Sequence, residues 1–244
     1  MHIIQEEIGL PIFSATSPVD GDTSHMVFSI APLPPGYGMT LGNALRRALL
    51  SSLPGAAVTS ISVKGVQHEY TTIKGMAESV LDITLNLKQL KLRKFSKDPE
   101  IISLQGKGPV ILTAKDLTVS SDIEILNPDQ PILTLEKGGE IDMEITVEKG
   151  VGYVPAVERN TKQNEPGLIY VDAMYSPVDK VKFSIEPARV GQRTDLEKLV
   201  IDVQTNGSLT AEEAMQFASQ LLKSYFDYFG SAEKVVESDF IADF

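Results

Sequence analysis

GYGMTLGNALRRALLSS, at residues 36–52, opens on two glycines and then carries apolar residues at helical spacing. With Thr40 as the N-cap and an advance of about 100° per residue, Leu41, Ala44, Leu45, Ala48, Leu49 and Ser52 gather on one side. That side is expected to pack on a sheet. The opposite side holds Asn43, Arg46, Arg47 and Leu50, with Leu50 near its centre. A solvent-facing helix usually pairs charges of both signs at i and i+4. Here two arginines stand in a helix that contains no acid. Arginine's planar fork suits carboxylates across an interface, but a lone exposed leucine between solvated arginines is also common. The wheel by itself leaves both readings open. The local reversal of charge favours the interface, because the chain as a whole has a net charge of −11.

Working outward, residues 25–30 (HMVFSI) read as a strand that precedes a connection containing Pro32, Pro34 and Pro35. Pro54 and Gly55 are expected to end the helix. Residues 57–63 read as a strand, and 76–87 as a helix with Met76, Val80, Ile83 and Leu87 on one face. From about residue 91 to 172 the pattern changes to short β-prone runs at 101–104, 110–113, 122–126, 132–135, 141–147 and 168–172, separated by turns such as QGKG, NPDQP and EKGGE. Strand-like runs follow at 181–185 and 199–205. A last helix is expected from Ala211 to about Phe229, opened by the capping box of Thr210 and Glu213. Its stripe is Ala214, Phe217, Ala218, Leu221, Leu222, Tyr225 and Phe229. Together with Phe226 and Tyr228 this is more aromatic surface than a small sheet needs, so part of it is expected at a subunit interface.

Composition narrows the function classes. Forty-two per cent hydrophobic and 23% charged residues are ordinary for a globular protein of 244 residues. With no cysteine, disulfides and thiolate metal sites are excluded. No run approaches the roughly 18 apolar residues of a membrane span, and MHIIQEEIGLPIF lacks the basic start of a signal peptide. A cytoplasmic protein is expected. Acidity argues against direct contact with a nucleic-acid backbone. Gly36, Gly38 and Gly42 do not match the G-x-G-x-x-G of a dinucleotide loop. Asp20-Gly21-Asp22 reads as a solvated turn, and His2, His25 and His68 share no metal-ligand spacing. No catalytic, cofactor-binding or metal-binding residue is expected.

The run at 36–52 resembles the signature of the alpha subunit of bacterial-type DNA-directed RNA polymerase. The likeness continues in order through PGAAVT (54–59), GVQHEY (65–70), LNLK (85–88), GYVPA (152–156), VDAMYSPV (171–178) and QRTDLEKL (192–199). It implies an α+β fold. A discontinuous dimerisation domain, 1–54 plus 179–230, would be a sheet packed with helices; a β-rich domain would be inserted at 55–178, and 231–244 would be an acidic, flexible tail. It further implies a non-catalytic subunit that homodimerises and serves as the platform for the beta and beta-prime subunits, with omega and sigma in the same assembly. DNA would be met only indirectly, in the bacterial nucleoid or an organellar equivalent. Arg46, Arg47 and Leu50 would contact beta, and Lys88, Val171 and Asp172 beta-prime or another large-subunit surface. Leu41, Leu45, Leu49, Phe217, Leu221, Tyr225 and Phe229 would form the dimer interface. The family's usual proline is replaced by Lys74, which bears on the turn at 72–75. The family's carboxy-terminal DNA-binding domain has no counterpart before Phe244, so promoter and activator binding are not expected of these residues. A stand-alone dimeric protein-binding module is the alternative, and a small enzyme with a carboxylate site in the insert is a third class.

Overall fold

The computed structural model describes residues 9–18, 21–160 and 167–229. The chain divides after Leu53 and again after Pro177 into two compact units.

The first unit is a four-stranded antiparallel sheet in the order β1 (Ile12–Thr16), β2 (His25–Leu33), β14 (Arg193–Thr205), β13 (Val178–Val190). Two helices pack on it, α1 (Tyr37–Ser51) and α4 (Ala211–Phe229). Alternation fixes the inner face: Leu199, Ile201 and Val203 of β14 are buried, while Val200, Asp202 and Gln204 are not. Phe28 of β2, Leu49 and Leu53 fill the same core, and Ala214, Met215 and Ala218 bring α4 against it. The expected capping box is present at the start of α4. Thr210 Oγ1 accepts from the Glu213 N–H at 3.1 Å, and Glu213 Oε2 accepts from the Thr210 N–H at 2.9 Å.

Helix α1 starts earlier than expected. Thr40 is not its cap but lies in its first turn, where its hydroxyl donates to the Gly36 carbonyl at 3.1 Å. Gly36 is the N-cap, in the left-handed region at φ 85° and without a side-chain cap. The arrangement of faces also differs. Gly38, Gly42, Ala48 and Leu49 are the buried positions, so the helix approaches the hairpin through glycines. A Cβ on Gly42 would stand 2.6 Å from the Phe183 ring and 3.1 Å from Leu199. Leu50 is half-buried against the same core rather than central to an outward face.

The second unit holds the sheet β11 (Leu168–Tyr170), β3 (Pro54–Val63), β9 (Glu140–Val151), β5 (Glu100–Lys107). Three two-stranded ladders accompany it: β4 (Leu92–Lys94) with β7 (Ile123–Ile125), β6 (Val110–Thr113) with β8 (Pro131–Leu135), and β10 (Tyr153–Val154) with β12 (Ala173–Met174). Its own core includes Ile61, Ile102, Leu104, Ile132, Met143 and Ile145, closed by Ile83 and Leu87 of α2 (Val80–Lys88). A single turn, α3 (Ala156–Asn160), follows β10. The predicted helix at 76–87 begins only at Val80, because Ser79 and Asp82 make a capping box there. Met76 still packs on the core, but from an isolated bridge to Leu135. Lys74 and Gly75 form a turn closed by the Met76 N–H on the Ile73 carbonyl at 3.2 Å, with Gly75 at φ 83°. Lys74 thus occupies a type II turn's second position, which proline also favours.

Lys94 is a buried cation, its side chain fully covered, bonded to Asp122, to Glu100 at 3.2 Å and to Ser96 at 2.8 Å. Lys94 first and then Ser96 hold the Asp122 carboxyl far below the usual carboxylate range. This cluster ties β4, β5 and the start of β7 together.

Gly42→Ala tests the glycine contact. Alanine would raise helix propensity by about 1 kcal/mol, yet overpacking Phe183 and Leu199 is expected to outweigh that, for a net loss of about 1–2 kcal/mol in urea melts. A stabilised variant would show that the helix–hairpin approach is looser than described.

Candidate functional site

An open apolar groove of about 720 Å³ runs between α1, α4 and the inner face of the first unit's sheet. Leu41, Ala44 and Leu45 of α1 form one wall, Met215, Leu222 and Phe226 of α4 the other. The floor includes Phe28, whose ring stacks on Phe13 at 5.8 Å. Leu41 and Leu45 thus lie on the open groove. Leu49 does not: it is completely covered by its own chain, so its role is in the core. Of the residues expected from α4, none lines the groove. Phe217, Tyr225 and Phe229 are exposed and Leu221 is half-buried. Apolar residues surround the last turns of α4, so a single stripe could not select the groove face. Tyr228 and Phe229 are 78% and 84% exposed.

Arg46 and Arg47 are exposed, and neither side chain pairs with a described residue. Leu50 follows them at the edge of the core. The backbone N–H groups of Gly36 and Gly38, where a phosphate would sit in a nucleotide loop, are already bonded to the Glu197 carboxylate. That arrangement disfavours an anion there.

In the second unit the structure joins two of the three expected residues. Lys88 Nζ lies 3.0 Å from Asp172 Oδ2, and Asp172 Oδ1 accepts the Ala156 N–H at 2.9 Å. The Ala156 amide first, then Lys88, hold the Asp172 carboxyl below its ordinary range. Val171, the third, is buried in the insert's core and presents nothing outward. Beside the ion pair stand exposed apolar residues that the sequence reading passed over, namely Tyr153, its cross-strand partner Met174, and Val157. The signal was faint, since β10 and β12 are two residues long.

A second concavity, about 470 Å³, lies between α3 and the sheet and is lined by Thr59, Ser60, Glu148 and Arg159 among others. Arg159 is committed there, its Nη1 to Glu148 at 2.8 Å and its Nη2 to the Tyr175 hydroxyl. Burial pushes the Tyr175 phenol up. Among the described residues no group of three or more His, Cys, Asp or Glu side chains is placed to hold a metal. His25 Nε2 meets Asp202 Oδ1 at 2.8 Å, and Asp22 Oδ1 accepts from Ser24. Asp20 lies outside the described residues. No described helix is long and apolar enough to cross a membrane.

The described residues thus gather an apolar groove and, on the same helix, two arginines whose side chains pair with none of them. Residues 60–176, nearly all of the second unit, match the RNA polymerase Rpb3/RpoA insert domain, which places this unit in the class of RNA polymerase subunit insert domains. Over 216 residues, 88% of the chain, it is 48% identical to the DNA-directed RNA polymerase subunit alpha of Moorella thermoacetica, covering 69% of that protein. It is 46% identical to the same subunit of Thermus aquaticus over 95% of the chain and 73% of that protein. With the Symbiobacterium thermophilum subunit alpha it shares 49% over 85% of the chain, covering 66% of the relative's length. The chain belongs to the family of DNA-directed RNA polymerase alpha subunits.

Asp172→Asn tests the ion pair. A carboxyl whose folded pKa is depressed adds stability above its unfolded value near 4, lost as pH falls through the folded value. The pair is one-third exposed, so screening limits the effect. At pH 7 the variant is expected to be about 1 kcal/mol less stable, and the gap should close below about pH 4. Urea melts from pH 2.5 to 7 measure it; a gap independent of pH would remove the ion pair as its cause.

Proposed function

We propose that this chain is a scaffold subunit with no active site of its own. It homodimerises through the groove and the aromatic end of α4, and presents large-subunit docking faces from α1 and from the Lys88–Asp172 surface. The observation that carries the reading is that α1 bears both an apolar flank, Leu41 and Leu45 on the open groove, and a basic face, Arg46 and Arg47, that pairs with none of the described residues. Phe226 supplies the facing wall at 64% exposure, a cost that a second copy removes by covering it. Guanidinium groups that meet no carboxylate among the described residues are suited to an acidic partner. On this reading Arg47 and Arg46 meet beta, with Leu50 as the apolar border of that contact. Lys88 and Asp172 meet beta-prime. Omega and sigma join the same assembly, and DNA is reached only through the complex.

Two variants separate the surfaces. Phe226→Asp places a charge in the groove and is expected to give a monomer by size-exclusion chromatography with light scattering. Arg47→Ala should leave the dimer's mass unchanged but weaken capture of the beta subunit by about 2–5 kcal/mol, the range for truncating a buried interfacial charge. Undiminished capture by Arg47→Ala would sink the docking assignment. A dimeric wild-type chain that recovers no large polymerase subunit would favour the stand-alone module. Leu50→Ala is the less clean probe, because Leu50 also packs on the core.

A further inference from the structure

The geometry points to Glu197 as the positioning residue of α1: its carboxylate sets where the helix begins on the hairpin, and through it where both proposed docking faces of α1 stand. The inference rests on the assembly reading above, and Glu197 itself touches no partner in it.

The observations are local and independent. Helix α1 has no acid in its first turn and no side-chain cap of its own. Helix ends leave backbone N–H groups unpaired, and here the Tyr37 N–H turns back to the Pro34 carbonyl at 3.2 Å. The Gly36 and Gly38 N–H groups instead donate to the two oxygens of one distant carboxylate, Glu197 Oε1 at 2.9 Å and Oε2 at 2.8 Å. An anion there also meets the positive end of the helix dipole. The strand is shaped to deliver it. Glu197 pairs with Leu33 and Leu199 with Ile30, a register shift that places a bulge at this point of β14. Bulges re-aim side chains. Gly38 completes the fit, since a Cβ on it would lie 2.8 Å from Glu197 Oε2. One glycine, one bulge and one carboxylate therefore specify a single seat for the helix start. One turn on, Gly42 lies against Phe183 and Leu199. That seat sets the rotation of α1, which turns Leu41 and Leu45 to the groove and leaves Arg46 and Arg47 outward.

The test uses the 244-residue chain as the dimer, with Glu197→Ala, Glu197→Gln and a control, Val203→Ala, that loosens the same core away from the groove and from α1's start. Amide hydrogen exchange at Gly36 and Gly38 should quicken about tenfold in both Glu197 variants, the scale of a lost helix-end carboxylate. Exchange in β2 and β14 should hold. Capture of purified beta subunit should fall several-fold in both, while Val203→Ala captures as well as wild type despite its lower melting temperature. Faster exchange with wild-type capture would overturn the role, as would unchanged exchange or an equal loss in Val203→Ala. Should the wild-type chain capture no large subunit, the assembly reading falls. The dimer then decides: weaker self-association of Glu197→Ala upholds the positioning role, and an unaltered dimer overturns it.

Discussion

The first unit depends on how closely α1 can lie on the β13–β14 hairpin. Helices with ordinary side chains at the contact pack at 8–10 Å. Gly38 and Gly42 remove the side chains at two successive turns, so Phe183, Ile185 and Leu199 of the hairpin press against the helix backbone itself. With the glycines facing the sheet, Leu49 becomes the helix's deepest anchor. The flanks on either side of that line are left to face outward. One flank borders the groove and the other carries arginine. The glycines that invited a phosphate-loop reading are thus the means by which one helix acquires two exposed faces.

The insert solves a different problem with the same economy. Its core is filled from both β9 and α2, and the sheet's other face is polar, with Glu144 and Thr146 alternating against Met143 and Ile145. The same alternation separates the neighbours Val171 and Asp172. The valine is the anchor that holds the strand end down, and the aspartate is the group presented, fixed by an amide on one oxygen and an ammonium on the other. A carboxylate held by two donors keeps its direction better than a solvated one, which suits the contact role proposed for Asp172.

Much of this was legible in the sequence. Strands with β-branched alternation, such as 57–63 and 199–205, lie within β3 and β14, and α4 runs from Ala211 to Phe229 behind the capping box that Thr210 and Glu213 announced. What was not legible has physical causes. β13 and β14 extend far past the apolar runs because residues such as Glu186, Pro187 and Lys198 belong to an exposed hairpin, where pairing rather than burial makes the strand. Thr40 looked like a cap because capping preferences are read locally, whereas the carboxylate that serves α1 comes from Glu197, far along the chain. The helical wheel put Leu50 at the centre of the outward face because it took no account of the core's width. A residue 100° from fully buried Leu49 can still touch that core. Tyr153 and Met174 were missed because a two-residue ladder leaves no periodicity to detect.

The two flanks of α1 ask for opposite partners, and chemistry keeps them apart. An apolar wall is satisfied by another of its kind, and on the proposed reading a twofold axis would bring the groove of one copy, with Leu41, Leu45 and Phe226, against the same surface of the next. Arginines cannot be satisfied that way, because two copies of Arg46 and Arg47 repel, and the helix holds no acid to neutralise them. On the proposed reading, association with self is therefore directed into the groove and away from the basic face. That face stays free for a carboxylate-bearing surface of a different protein. A dimer formed in this way presents two equivalent basic faces, so any difference in what they bind has to come from the partners, the second of which meets a surface already half occupied.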